Sequence, residues 1–195
     1  LTLTEDLRKK LISSAGKLKS MEEIAIHEYR TLGRDLRMLI LADYNQGTRE
    51  NLRKIGTAEP FHEISVVSIF ETLRRLGETW KIGVLSGSLI FLPGDLVPQG
   101  TMVITEPLGD TGYVSVEMMG TNRDRIAMVG ELFREGKLQI LIGTKALLGE
   151  GWDEPCINTL ILASFAGTFV SSNQMRGRAI RSNPKDPHKT ANIWH

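Results

Sequence analysis

Gln174, Gly177, Arg178 and Arg181 stand at fixed spacing in the run Gln-Met-Arg-Gly-Arg-Ala-Ile-Arg. Arginines three residues apart share one face of a helix, one turn above the other. Each guanidinium is permanently charged and offers a planar fork of donors, a better match to a phosphate than an ammonium is. With Gln174 on the preceding turn and Gly177 allowing close approach, the two forks make a face suited to a triphosphate. The alternative is a solvated basic face. Four such residue types at this spacing recur by chance in on the order of 1 in 1,000 chains of this length, which favours a binding role. Positive charge also gathers here, with five basic residues in 174–195 against one acidic residue, Asp186.

A second segment could take an anion. Gly143-Thr144-Lys145 follows an apolar stretch at 138–142 and leads through Ala146-Leu147-Leu148 into Gly149-Glu150-Gly151-Trp152-Asp153-Glu154-Pro155. In open parallel sheets, ligands bind beyond the carboxyl ends of the strands. A flexible backbone and the Thr144 hydroxyl at a helix start suit a phosphate. Asp153 is placed to meet a ribose hydroxyl or a basic partner such as Arg178. An ordinary loop with glycine turns and a helix-ending aspartate is the other reading.

The elements that must position these residues follow from periodicity. Residues 1–34 read as two helices, the first capped by Thr4 and closed by Gly16, the second opened by a Ser20/Glu23 capping box and closed by Gly33. Both are expected to form a packing collar. Met38-Leu39-Ile40-Leu41-Ala42 is a continuous apolar run, as in a strand buried on both faces. Pro60 is expected to open a helix carrying Ile64, Val67, Leu73 and Leu76 and ended by Gly77. Residues 81–85, 138–142 and 159–163 read as further strands. Asn122 is expected to cap a helix ended by Gly136. The helix of the arginine motif follows 159–163, and Asn192 to Trp194 begins another strand. Strand and helix in alternation predict an α/β fold, a parallel sheet with helices on both faces. Residues 89–118 break the rhythm. Strand-like 101–105 and 113–117, joined by Pro107-Leu108-Gly109-Asp110-Thr111-Gly112, predict an inserted β-hairpin.

Composition bounds the rest. A chain of 195 residues fits one domain with an insertion and buries roughly 70% of its unfolded surface. A hydrophobic share of 41% and a charged share of 24% are ordinary for a soluble protein. A net charge of +1 is too mild to argue for nucleic acid by itself. The single Cys156 excludes an internal disulfide and fits a reducing, cytoplasmic setting. It reads as a small apolar residue rather than a catalytic thiol. No apolar stretch is long enough to span a membrane, and no signal peptide is visible. The chain opens at Leu1 and closes within a strand-like Ile193-Trp194-His195, so both ends are expected to be cuts in a longer protein.

Taken together, Gly143 to Pro155 and Gln174 to Arg181 resemble motifs V and VI of superfamily II helicases, which belong to the second of two RecA-like domains. Met38-Leu39-Ile40-Leu41-Ala42 then resembles motif IV, and Val84-Leu85-Ser86-Gly87 the following phosphate-contacting strand end. The likeness covers roughly residues 36–195 apart from the insertion. Its Gly-Glu-Gly-Trp-Asp-Glu-Pro run is more similar to DEAD/DEAH-like and restriction-subunit-like helicases than to DEAD-box proteins, which usually have His where Gln174 stands. The resemblance implies that Arg181 is an arginine finger reaching the γ-phosphate, with Arg178 beside it and Gln174 positioning the phosphate or the attacking water. It implies that Glu150, Gly151 and Asp153 touch ATP, whose Mg2+ is held by the preceding RecA-like domain. It also implies that Gly143, Thr144, Lys145, Ser86 and Gly87 hold the backbone of DNA or RNA. The pattern departs from the family in three places. The gap from Thr144 to Gly151 is one residue longer than in the DEAD-box form, Met175 replaces an arginine and Ile180 a glycine.

An ATPase site also needs a phosphate-cradling Gly-x-x-x-x-Gly-Lys-Ser/Thr loop and a magnesium-holding acid. Gly16-Lys17 and Gly136-Lys137 lack the upstream glycine and read as helix ends, so this chain is expected to be inactive alone. His27, His62, His188 and His195 show no metal-ligand spacing, and no metal site is expected. Trp80, Trp152 and Trp194 read as core or rim rather than base-stacking platforms; Trp152, flanking the nucleotide loop, is the one to watch. A non-enzymatic RecA-like module for nucleic-acid or partner binding is the alternative function. A dinucleotide-binding enzyme ranks last, because no Gly-x-Gly-x-x-Gly follows the first strand.

Overall fold

The computed structural model describes residues 5–45, 47–61, 63–98, 103–148, 152–163, 177 and 189–194. In chain order its elements are α1 (Glu5–Leu32), β1 (Met38–Ala42), α2 (Arg49–Arg53), α3 (Val66–Arg74), β2 (Ile82–Leu85) and β3 (Ile90–Pro93). They continue with β4 (Val103–Pro107), β5 (Tyr113–Met118), α4 (Asn122–Arg134), β6 (Ile140–Thr144), α5 (Lys145–Leu148), β7 (Thr159–Leu162) and β8 (Asn192–Trp194). The described strands form one sheet of eight in the order β4-β5-β3-β2-β6-β1-β7-β8. From β2 to β8 the pairs are parallel, and Leu41 lies opposite Gly143 on one side and Leu162 on the other. The pairs β2–β3, β3–β5 and β5–β4 are antiparallel.

The apolar runs become strands because both sheet faces are covered. Met38, Ile40, Ala42, Ile82, Val84, Ile140 and Ile142 share a core with Met21 and Ala25 of α1 and with Phe70 and Leu73 of α3. Alternate residues Leu39, Leu41, Leu85 and Leu141 share the other core with Val129 and Phe133 of α4. This is the expected α/β architecture with helices on both faces. The hairpin expected within 89–118 is present, with β4 and β5 paired antiparallel, and an unforeseen strand, β3, joins it to β2 in the same sheet. The turn Ser86-Gly87-Ser88 between two apolar runs is the sequence signal for β3. That turn closes with Ser86 N–H donating to Leu89 O at 2.8 Å and Leu89 N–H donating to Ser86 Oγ at 3.0 Å.

Helix starts also differ from expectation. Residues 5–32 form one helix, not two. A glycine inside a helix costs only about 1 kcal/mol relative to alanine, and burial of Met21, Ala25 and Glu28 anchors the segment after it. Ser20 caps nothing; its hydroxyl donates back to Gly16 O at 3.1 Å, so Gly16-Lys17 is helix interior and not a helix end. The helix expected from Pro60 begins after Ser65, whose hydroxyl accepts from Ser68 N while Ser68 Oγ accepts from Ser65 N at 2.8 Å. α4 is capped by Thr121 through the same reciprocal device with Asp124, one residue before the expected Asn122. Gly77 and Gly136 follow α3 and α4 with φ of 67° and 76°, as closing glycines should. The Thr4 cap lies outside the described residues.

α1 does act as a collar. Its buried Glu28 accepts from Trp194 Nε1 at 2.8 Å, Asn192 Nδ2 at 2.9 Å and Thr159 Oγ1 at 3.2 Å. These bonds fasten α1 to β7 and β8. They leave Trp194 half-buried and its ring nitrogen committed to the collar.

Candidate functional site

Because β2, β6, β1 and β7 are parallel, their carboxyl ends open on one edge. Ser86-Gly87, Gly143-Thr144 and Asp43-Tyr44 therefore lie together there although they are far apart in the chain. Side-chain bonds tie these loops to each other. Lys145 Nζ lies 3.2 Å from Asp43 Oδ1, bridging the ends of β6 and β1. Asn45 Nδ2 donates to Ser88 Oγ at 2.9 Å, carrying the β1 loop across to the β2–β3 turn. Arg125 of α4 donates to Gly87 O at 3.0 Å and to Met118 O at 3.3 Å, linking that turn to the end of β5.

The residues expected at nucleic-acid phosphates are in this way brought to one edge, with differing access. Gly87 is exposed and Lys145 is partly so, whereas Ser86 is fully buried and its hydroxyl already accepts from Leu89 N. Thr144 is buried at the last position of β6, opposite Ala42. Gly143 is required by crowding: a Cβ there would stand 2.9 Å from Leu85 O and 2.4 Å from Leu148 Cδ1. The carbonyl belongs to the neighbouring strand and cannot yield without breaking the β2–β6 register. Gly143→Ala is expected to cost about 1–3 kcal/mol, as overpacking does, measured as a lower denaturation midpoint. An unchanged midpoint would show that the strand end relaxes freely.

Beyond β6, the loop is held from the α4 side. Trp152 is buried against Phe133, with ring centroids 6.3 Å apart, and its indole lies across Gly130. It is core, as the reading of the tryptophans as core or rim expects, although it flanks the nucleotide loop in sequence; Trp80, also buried, stacks edge-on with Tyr29 at 5.1 Å. Glu154 is buried too and takes a two-pronged contact from Arg134, Nη2 to Oε2 at 2.7 Å and Nε to Oε1 at 3.1 Å. Asp153, between these two buried residues, is exposed and is the one expected nucleotide contact among the described residues. Burial, followed by the nearby Glu154 charge, pushes the Cys156 thiol up to about 12, so it is no thiolate nucleophile at neutral pH.

Gln174, Arg178, Arg181, Glu150 and Gly151 lie outside the described residues; Gly177 of the same motif is helical. Among the described residues no helix is long and apolar enough to cross a membrane. Tyr44, 66% exposed at the end of β1, was not singled out by sequence. An aromatic directly after a buried strand run is the signal that could have found it.

Residues 104–183 match the family model of the helicase conserved C-terminal domain. No curated protein matches the chain. Among solved structures, the C-terminal part of the Fun30 ATPase domain is similar at 14% identity and a TM-score of 0.51, over 92% of this chain and 40% of that one. The Pyrococcus furiosus Hef helicase domain is similar at 15% identity and a TM-score of 0.47, over 91% and 25%. S. cerevisiae Dbp5 bound to RNA and ADP BeF3 is similar at 14% identity and a TM-score of 0.47, over 92% and 32%. The chain thus spans between a quarter and two fifths of the length of these structures. The match over 104–183 includes β6 and runs on through residues 174–181. Over residues 104–183 the chain is thus similar to the helicase conserved C-terminal domain, and its fold is similar to that of the C-terminal part of the Fun30 ATPase domain.

Proposed function

We propose that this domain is the C-terminal half of an ATP-dependent helicase or translocase, completing an ATPase site whose phosphate loop lies on another RecA-like domain. The observation that carries the reading is the shared edge: the β2, β6 and β1 ends form one surface, and the family match runs on from it through the arginine motif. In this reading Arg181 and Arg178 face the triphosphate, Gln174 orients phosphate or water, and Glu150, Gly151 and Asp153 sense the nucleotide. Gly87, Gly143, Thr144 and Lys145 follow a DNA or RNA backbone, with Ser86 shaping the turn that presents Gly87. ATP with Mg2+, bound mainly by the N-terminal domain, supplies the phosphoanhydride whose cleavage powers the cycle. Closure and reopening of the two domains would step the protein along a strand, in a cytoplasmic setting consistent with the lone, unreactive Cys156.

The isolated 195-residue chain is expected to hydrolyse no ATP, because the finger acts on a nucleotide held elsewhere. The full-length protein is expected to hydrolyse ATP and to be stimulated by single-stranded nucleic acid. Phosphate release measured for both decides it. Magnesium-dependent turnover by the isolated chain would overturn the split-site reading, and a full-length protein that binds a strand without any hydrolysis would favour the non-enzymatic module instead.

A further inference from the structure

Among the described residues three large apolar side chains stand out in solvent: Tyr44, Ile104 and Met119. Tyr44 differs from the others in where its backbone is fixed. Its carbonyl accepts from Val66 N at 3.1 Å, at the first turn of α3. The next residue, Asn45, is bonded to Ser88 across the edge at 2.9 Å. The preceding Asp43 is held by Lys145 and lies in the field of Lys17, which α1 brings to this edge. An exposed aromatic ring on a pinned backbone, with two lysines grouped at the adjacent position, has the makings of a strand-binding surface. Flat rings stack on any base, and ammonium groups beside them meet the phosphates.

We infer that Tyr44 is a base-stacking platform for a single strand of nucleic acid lying along the carboxyl edge of the sheet. The inference rests on the helicase reading above and adds a contact to the bases, where the expected motif residues contact only the backbone. The ring stands in solvent, and the Val66 and Ser88 bonds fix the loop that carries it. Lys17 and Lys145 around the single carboxylate of Asp43 leave the group beside the ring net positive, which complements a polyanion.

The test is equilibrium binding of a fluorescein-labelled oligothymidylate, and of the same strand with abasic positions, to the full-length protein. Tyr44→Ala is expected to weaken binding of the intact strand by about 5-fold or more, the loss typical of one stacked base. Tyr44→Phe and Tyr44→Trp are expected to bind within about 2-fold of wild type, because stacking needs the ring and not the hydroxyl. Wild type should prefer the intact strand over the abasic one, and Tyr44→Ala should have lost most of that preference. Because the ring is 66% exposed, thermal unfolding should be unchanged in all three variants. Wild-type binding by Tyr44→Ala, or a loss that phenylalanine does not rescue, would overturn the inference. So would a Tyr44→Ala defect confined to ATP turnover, the mark of a contact between domains. In each of these cases the helicase reading stands. A wild-type protein that binds no strand at low salt would instead remove that reading and this one together.

Discussion

Arg181→Ala in the full-length protein is expected to lower ATP turnover by about three orders of magnitude while leaving nucleotide affinity within a few-fold of wild type. Charge builds on the transferred phosphoryl group mainly in the transition state, so a guanidinium aimed at it stabilises that state far more than the bound ground state. Such a finger contributes on the order of 10³ or more in related nucleotide hydrolases. Arg181→Lys keeps the charge but loses the planar fork, and is expected to recover only a small part of the rate. Steady-state phosphate release paired with fluorescent-nucleotide binding separates the two effects. Wild-type turnover in Arg181→Ala would remove the assignment of the finger. A matching loss of affinity would mean that Arg181 contributes to binding rather than to the chemical step.

A second large effect is expected far from the site, at Glu71 on α3. Its buried carboxylate accepts from Arg74 Nε at 2.7 Å, Arg74 Nη2 at 2.8 Å, Arg75 Nε at 2.9 Å and Gly56 N at 3.0 Å. These bonds tie α3 to the loop after α2, and α3 covers one face of the sheet. Burial alone would push the Glu71 carboxyl up, but the hydrogen bonds from Arg74, Arg75 and Gly56, with the Arg74 charge, outweigh it. They hold it below its ordinary value of 4.5. A carboxyl with a depressed folded-state pKa stabilises the fold fully above the ordinary value and loses that contribution as pH falls through the folded value. Glu71→Gln is therefore expected to cost about 2 kcal/mol at pH 7, below the 3–5 kcal/mol of a fully buried pair because both arginines are partly exposed. The gap between variant and wild type should narrow steadily below about pH 4.5. Denaturant unfolding from pH 7 to pH 3 checks both. A gap independent of pH would show that shape at Glu71, and not its charge, carries the effect.

The cores were legible because they depend on periodicity. Met38 to Ala42 could only be a strand buried on both faces, and its alternate residues do enter opposite cores. Element starts were less legible, because several residue types compete for a cap. Ser65 and Thr121 won over Pro60 and Asn122 by closing reciprocal bonds with a residue three positions on. Gly16 looked like a stop and is not one, because the break it favours is weak beside the burial of Met21 and Ala25. Strand β3 was hard to read because four apolar residues ending in Pro93 carry no periodicity of their own; the turn at 86–88 is its one sequence signal, and pairing with β2 and β5 makes it a strand.

Local pattern by itself determined the α/β class, the two-sided burial and the run of motif-like segments, since backbone period and the placing of charge are properties of short stretches. Tertiary structure alone decided which of those segments share an edge, because parallel pairing aligns strand ends whose sequence separation says nothing about their distance. It also sorted the aromatics. Trp152, beside the nucleotide loop in sequence, is drawn into the core by Phe133 and Gly130, while Tyr44 is left in solvent at the edge. Neighbours in sequence supply the chemistry of a residue; the elements packed around it decide whether that chemistry meets a ligand or the protein's own interior.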